Sequence, residues 1–258
     1  MFDKQIHRDE FRLRVLLTNR CNKKCSFCLN DFQPKDPKLD ANILDVSECI
    51  RAYGDLMSSL GQTSIVTFSG GEPGIYPCLE IALRESKRHC DVTKLVTNGT
   101  ALKSTIKKYV DCFHVGVTSV DYEVRKFIKD DEAKKFVVQI VVTENASDNS
   151  LCSLIEYYYD LDSCKVKLFS DFFANDQESL RKRINRIAKI FPKITSRFTG
   201  VQENRGKACM GCTEKCITLK ALWFLPNNVL TTCPQGKLEP LKGDFDSIVR
   251  QAYELHKC

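Results

Sequence analysis

Phe11-Arg12-Leu13-Arg14-Val15-Leu16-Leu17-Thr18 runs directly into Asn19-Arg20-Cys21-Asn22-Lys23-Lys24-Cys25-Ser26-Phe27-Cys28. The first half is a short apolar run rich in Val and Leu, which reads as a strand. The second half spaces three thiols as C-x3-C-x2-C. Three thiolates this close can wrap one face of a cubane, and cysteine is the usual protein ligand of [4Fe–4S] clusters. Three ligands leave one iron open to a small molecule. A zinc site normally wants a fourth cysteine or histidine nearby. The next cysteine is Cys49 and the next histidine is His89, so a zinc or redox cysteine site is the weaker alternative.

Working outward, strand-like and helix-like segments alternate. Val46, Cys49, Ile50, Tyr53, Met57 and Leu60 recur at helical spacing. Ser64 to Phe68 is β-branched and apolar and runs into Ser69-Gly70-Gly71-Glu72-Pro73. Pro77 to His89 reads as a helix. Thr93 to Thr97 reads as a strand stopped by Asn98-Gly99. Leu102, Ile106, Tyr109 and Val110 suit a short helix. Phe113 to Thr118 is strand-like, and Asp121 is placed to cap the helix of Val124, Phe127 and Ile128. Phe136 to Val142 is the clearest strand. The helix of Leu151, Leu154, Ile155 and Tyr158, the strand Lys165 to Phe169, and the helix of Leu180, Ile184, Ile187 and Phe191 complete the series.

Strands separated by helices imply βαβ units and a parallel sheet. Six units of about 30 residues fit this stretch, whereas a full eight-unit barrel needs about 250 residues. The expected class is therefore α/β, a partial (β/α)6 barrel over residues 1–198. A flat doubly wound sheet is the alternative. Residues 199–258 are expected to form a small cysteine-rich hairpin subdomain with a closing helix. Its hairpin is Leu219 to Leu225 and Val229 to Thr232 about Pro226-Asn227-Asn228, and its helix is Asp244 to Lys257.

The 258 residues are 43% hydrophobic and 28% charged, with a net charge of +6. Neither a membrane-spanning apolar run nor a signal-peptide core is present, so a cytoplasmic protein is expected. Zinc-finger spacing and aromatic–basic RNA motifs are lacking, which argues against nucleic acid. The basic excess gathers partly in Arg181 to Arg197. That stretch reads as a solvated helix face or, with Arg205 and Lys207, as a site for phosphate or carboxylate. Fourteen cysteines are the outlier. Without a secretory signal they point to metal or catalysis more than to disulfides. A second set, Cys209, Cys212, Cys216 and Cys233, suits a tetrahedral zinc or a second [4Fe–4S] cluster.

The first cysteine set, with Phe27 before its last member, resembles the signature of the radical S-adenosylmethionine (SAM) superfamily. Gly70-Gly71-Glu72-Pro73, one βα unit later, resembles the family motif that contacts the methionine part of SAM. The glycines let backbone approach a ligand, and Glu72 can receive an ammonium. The resemblance further implies SAM contacts at Thr97 and Asn98, ribose contacts near Ser119 and Asp121, and adenine packing near Ile140, Val142 and Asn145. It implies an open iron that binds SAM, reductive cleavage to a 5′-deoxyadenosyl radical, and hydrogen abstraction from a substrate. An external one-electron donor such as flavodoxin or ferredoxin would feed the cluster. Lys23 and Lys24 either tune that cluster or are solvated.

The second cysteine set resembles the family's twitch subdomain, which implies a second, auxiliary cluster on Cys209, Cys212, Cys216 and Cys233, or on three of them with one free as a hydrogen donor. About ten residues precede the first strand. The leader-recognition domain of peptide-modifying relatives is therefore not expected. A nucleotide, sugar or amino-acid-derived small molecule is the favoured substrate. A peptide is the runner-up, and an iron–sulfur binding protein without turnover, carrying a structural zinc, is the reading from another class.

Overall fold

The computed structural model describes residues 10–28, 39–130, 135–162, 164–171, 174–197, 221–232 and 240–257. Among the described residues nine strands form one sheet. They are β1 (Arg12–Leu16), β2 (Ile65–Ser69), β3 (Val92–Thr97), β4 (Cys112–Gly116), β5 (Lys135–Val142), β6 (Cys164–Ser170), β7 (Thr195–Arg197), β8 (Ala221–Phe224) and β9 (Leu230–Thr231). Their order is β7-β6-β5-β4-β3-β2-β1-β8-β9, and it does not close on itself. Every neighbouring pair is parallel except β8–β9. This is an open α/β sheet of the partial-barrel kind.

The helices are α1 (Ile43–Ser59), α2 (Leu79–His89), α3 (Tyr122–Lys129), α4 (Asp148–Tyr159), α5 (Gln177–Ile190) and α6 (Phe245–Lys257). Short polar side chains start most of them. Asn42, Asp121, Ser147 and Asp176 each accept a backbone N–H at the first turn of α1, α3, α4 and α5, which satisfies donors the helix itself cannot. The short helix expected around Ile106 is a 3-10 turn, Ser104–Tyr109. Ile106 alone among its six residues is buried, which leaves no apolar stripe to hold an α-helix.

A flat doubly wound sheet would bury both faces. Here β3, β4, β5 and β6 alternate between buried and half-buried positions. The buried face meets the helices, since Phe127 of α3 lies edge-on to Phe113 and Phe136, with ring centroids 5.5 and 6.0 Å away. The buried Tyr53 of α1 donates to the Phe11 carbonyl at 2.9 Å and accepts from Ile65 N–H at 3.0 Å, pinning the entries of β1 and β2 together. The opposite face is the concave interior of the barrel.

The expected hairpin is present. Leu225 N–H bonds the Val229 carbonyl at 2.8 Å, and Asn228 takes the left-handed conformation at φ 59°, which asparagine tolerates well. β8 pairs in parallel with β1, so the hairpin continues the barrel sheet. Its turn touches α1 through Asn228 Oδ1, which accepts from Asn42 N–H at 2.8 Å. α6 returns to the first unit, where Tyr253 packs on Phe11 at 5.5 Å and its hydroxyl accepts from Gln62 at 2.9 Å.

One interior group gives the fold a pH dependence. His114 of β4 accepts from Gln139 Nε2 through Nδ1 at 2.9 Å and faces Cys112 Sγ through Nε2 at 3.6 Å. Burial, then the charges of Lys94, Lys167 and Arg14, push its pKa down from 6.5 to about 4. The unfolded chain therefore takes up this proton first as pH falls. The His114 share of stability is complete above its ordinary pKa and is lost as pH drops from there towards 4. Urea unfolding near neutral pH and at about pH 5 checks this: the drop in midpoint should be smaller in His114→Gln than in the natural chain.

Candidate functional site

The C-terminal ends of β1, β2 and β3 carry three loops that are bonded to one another. The cysteine loop leaves β1 through Thr18 and Arg20, and Asp40 anchors both. Thr18 Oγ1 donates to Asp40 Oδ1 at 2.5 Å, while Arg20 donates to both carboxylate oxygens at 3.1 and 2.6 Å. Such two-pronged pairs fix geometry as well as charge.

The glycine loop after β2 lies directly on this segment. Gly71 N–H donates to the Thr18 carbonyl at 2.6 Å, and Glu72 N–H to the Arg20 carbonyl at 2.7 Å. The approach is so close that side chains are excluded. A Cβ on Gly71 would sit 2.0 Å from the Arg20 carbonyl oxygen, and one on Gly70 2.5 Å from the Thr18 carbonyl oxygen. Gly70 also has φ 128°, a region that glycine alone occupies freely.

Glu72 is the hub. It is wholly buried. Its Oε1 accepts from Thr97 Oγ1 at 2.6 Å and from Gly74 N–H at 2.8 Å, and its Oε2 from Asn98 N–H at 2.6 Å. From the sequence, this carboxylate is expected to receive an incoming ammonium. The structure spends it largely on the chain, holding the β2 and β3 loops together, and leaves one of about four acceptor positions over. Each orphaned buried donor costs about 1–3 kcal/mol, so Glu72→Ala should lower the unfolding free energy by about 3 kcal/mol or more. Urea denaturation measures it, and a loss below about 1 kcal/mol would contradict this role.

Asn98 links the third loop to the first cysteine. Its Nδ2 donates to Asn22 Oδ1 at 2.8 Å and lies 3.9 Å from Cys21 Sγ, its Oδ1 accepts from Thr100 Oγ1 at 2.6 Å, and Asn22 Nδ2 donates to Thr100 Oγ1 at 2.6 Å. Lys23 N–H points at the same sulfur from 3.4 Å.

Cys21, Cys25 and Cys28 stand together in the loop after β1. Cys21 is exposed, the other two partly so. Burial first, then the negative charges of Cys28 and Cys21, raise the Cys25 pKa, while Lys23 opposes them. Among the described residues no three such donors converge on a single ion. A cubane instead takes each sulfur at a different iron. Three accessible thiols in one loop, two N–H donors on Cys21 and a glycine surface with no room for Cβ atoms fit that cluster.

The other expected site residues fall into two groups. Phe27 is half-buried in the cysteine loop and Pro73 is buried at the start of the 3-10 turn Pro73–Ile75. Ser119 is exposed just past β4, and Asp121 caps α3 by accepting from Val124 N–H at 3.1 Å. Ile140 and Val142 do not join them. They are buried on the helix-facing side of β5, and it is Gln139 and Val141 that alternate onto the interior face. Cys209, Cys212, Cys216 and Cys233 lie outside the described residues, as do Arg205 and Lys207. Asp40, Asn22 and Thr100 were not singled out from sequence, because their partners are brought in from distant segments.

A model of the Radical SAM superfamily matches residues 15–142. GTP 3',8-cyclase of Vibrio vulnificus strain YJ016 is 34% identical over 77 residues, covering 29% of this chain and 22% of the relative. A probable GTP 3',8-cyclase of Methanocella arvoryzae is 32% identical over 120 residues, covering 45% and 37%. The matched region thus spans well under half the length of these curated relatives. Streptococcus suis SuiB superposes with a TM-score of 0.70 at 14% identity, covering 95% of this chain and 65% of SuiB. Native anSMEcpe with bound AdoMet gives 0.63 at 13% identity, covering 94% and 80%. These two share the fold. The family match begins at Val15 inside β1 and ends at Val142, the last residue of β5, so it takes in the cysteine loop, the glycine loop and the strands between them, and the chain is a member of the radical SAM superfamily of enzymes.

Proposed function

We propose that this enzyme cleaves SAM reductively at a [4Fe–4S] cluster held by Cys21, Cys25 and Cys28, and uses the product to take a hydrogen atom from a small molecule in the barrel. The observation that carries the reading is the direct backbone bonding of the glycine loop to the cysteine loop at Gly71–Thr18 and Glu72–Arg20. It fixes the glycine loop against the loop that carries the three thiols. When bound, the cluster supplies one electron to the sulfonium of SAM. The chain's own part is positioning. Arg20 and Asp40 hold the loop that presents the thiols, Glu72 ties Thr97 and Asn98 to the glycine loop, and Asn98 and Lys23 direct N–H groups at Cys21. The proposed SAM contacts are Phe27, the 70–73 loop, Thr97, Asn98 and, on the next strand, Ser119 and Asp121.

The reading extends to a second cluster on Cys209, Cys212, Cys216 and Cys233, within a C-terminal region 199–258, and to an external one-electron donor. Iron and sulfide analysis of anaerobically reconstituted protein tests the cluster count. About eight irons per chain are expected from two cubanes. About four irons with one zinc would place zinc at the second set. Substrate is found by deuterium transfer from a panel of labelled small molecules into 5′-deoxyadenosine.

A further inference from the structure

Beside the first cysteine, three polar side chains bond one another in a closed ring. Asn98 Nδ2 donates to Asn22 Oδ1 at 2.8 Å, Asn22 Nδ2 donates to Thr100 Oγ1 at 2.6 Å, and Thr100 Oγ1 donates back to Asn98 Oδ1 at 2.6 Å. The donors run one way round, so each side chain gives one hydrogen to the ring and takes one. The ring joins the loop after β3 to the loop after β1, across 76 and 78 residues of sequence.

Chemistry settles which way the Asn98 amide points. Thr100 N–H can only donate, and it meets Asn98 Oδ1 at 3.0 Å. The oxygen therefore faces Thr100 and the nitrogen faces the cysteine loop. The main chain is held too, since Asn98 N–H donates to Glu72 Oε2 at 2.6 Å. An amide nitrogen carries two hydrogens. One goes to Asn22, and the other is left for Cys21 Sγ, 3.9 Å away.

Stability does not account for this ring. Asn22 and Thr100 are exposed and Asn98 is half-buried, so the bonds largely replace bonds to water and add little. The loops are also joined without it. The buried Glu72 ties the β3 loop to the glycine loop, and Gly71 N–H ties the glycine loop to Thr18. What the ring adds is the direction of one N–H.

The geometry points to Asn98 as a positioning residue that raises the reduction potential of a cluster on Cys21, Cys25 and Cys28, with Asn22 and Thr100 holding its amide in place. This rests on the proposed function, since it concerns the cluster named there. Reduction adds one negative charge, and hydrogen bonds to the ligand sulfurs are among the levers that set such potentials. An N–H aimed at Cys21 Sγ stabilises the reduced form more than the oxidised one.

The test is a redox titration of the anaerobically reconstituted full chain without SAM, following by electron paramagnetic resonance the signal that is lost in Cys25→Ala. Asn98→Ala removes the donor. Thr100→Val keeps the shape of the side chain and removes the hydroxyl that holds the amide. In each, the ratio of reduced to oxidised cluster at a fixed poise should fall about threefold, which is about 30 mV of midpoint for one electron. Thr100→Ser keeps the hydroxyl and should keep the natural midpoint. Iron content and thermal midpoint should stay at their natural values in all three variants. An unchanged redox midpoint in both Asn98→Ala and Thr100→Val, or a loss of iron or of thermal stability with no shift in potential, would make the ring structural and overturn the inference while leaving the proposed function standing. The expected shifts in a chain that does not cleave SAM would count against the proposed function and not against this role. A natural chain that assembles no cluster on these cysteines would overturn both.

Discussion

Alanine at Cys21, Cys25 or Cys28, taken one at a time, should abolish 5′-deoxyadenosine formation and remove about four irons per chain while leaving the thermal midpoint close to that of the natural apo-protein. The two halves of that expectation have different causes. The chemical loss follows because the loop offers only these three thiolates and no described residue stands ready as a substitute. The structural indifference follows because the three side chains are exposed or half-exposed and belong to no core cluster. Cys49 and Cys90 are the contrast. Both are buried against α1 and α2, and burial raises both thiols, Cys90 to about 12, so they are inert packing groups. A cysteine variant that kept its iron, or lost its fold together with its iron, would contradict the assignment.

Gly71→Ala should cost SAM cleavage about 100-fold with all ligands still in place. The added methyl would lie 2.0 Å from the Arg20 carbonyl oxygen and 2.5 Å from its carbon. These are backbone atoms, so no side-chain rotation relieves the collision. Gly71 lacks the positive φ of Gly70, so the effect is a pure displacement of two loops. Parting them by about 1 Å breaks the Gly71–Thr18 and Glu72–Arg20 bonds, and misplacement on that scale can cost about 10²-fold in rate. The accompanying loss of stability should be about 1–3 kcal/mol, as for other overpacked sites. Iron content near that of the natural chain with SAM affinity and cleavage both reduced is the expected signature. Unchanged cleavage would mean that the two loops do not work as a unit.

Much of the barrel was legible because each βα unit announces itself twice, by a short β-branched run and by an apolar stripe at helical spacing. β7 escaped, being three residues long with no run to detect. Ile140 and Val142 show where alternation stops being informative. Phe136 to Val142 is apolar at nearly every position, as strands of parallel sheets tend to be, so sequence did not say which parity faces the interior. Only Gln139 marked it. Glu72 illustrates a different limit. Its place after Gly70-Gly71 was readable, but its bonds to Thr97 and Asn98 cross 25 and 26 residues of sequence, and local pattern carries no trace of them. Period-two pairs of cations, Arg12 with Arg14 on β1 and Lys165 with Lys167 on β6, were legible in the sequence and share one strand face.

The proposed chemistry turns SAM into a radical at Cys21, Cys25 and Cys28. Its most direct measurement is the release of 5′-deoxyadenosine and methionine from SAM by anaerobically reconstituted, chemically reduced protein, beside the Cys25→Ala variant prepared identically. Release by the natural chain and none by the variant is the expected result. No release by a natural chain that carries its full complement of iron, or equal release by both, would contradict it.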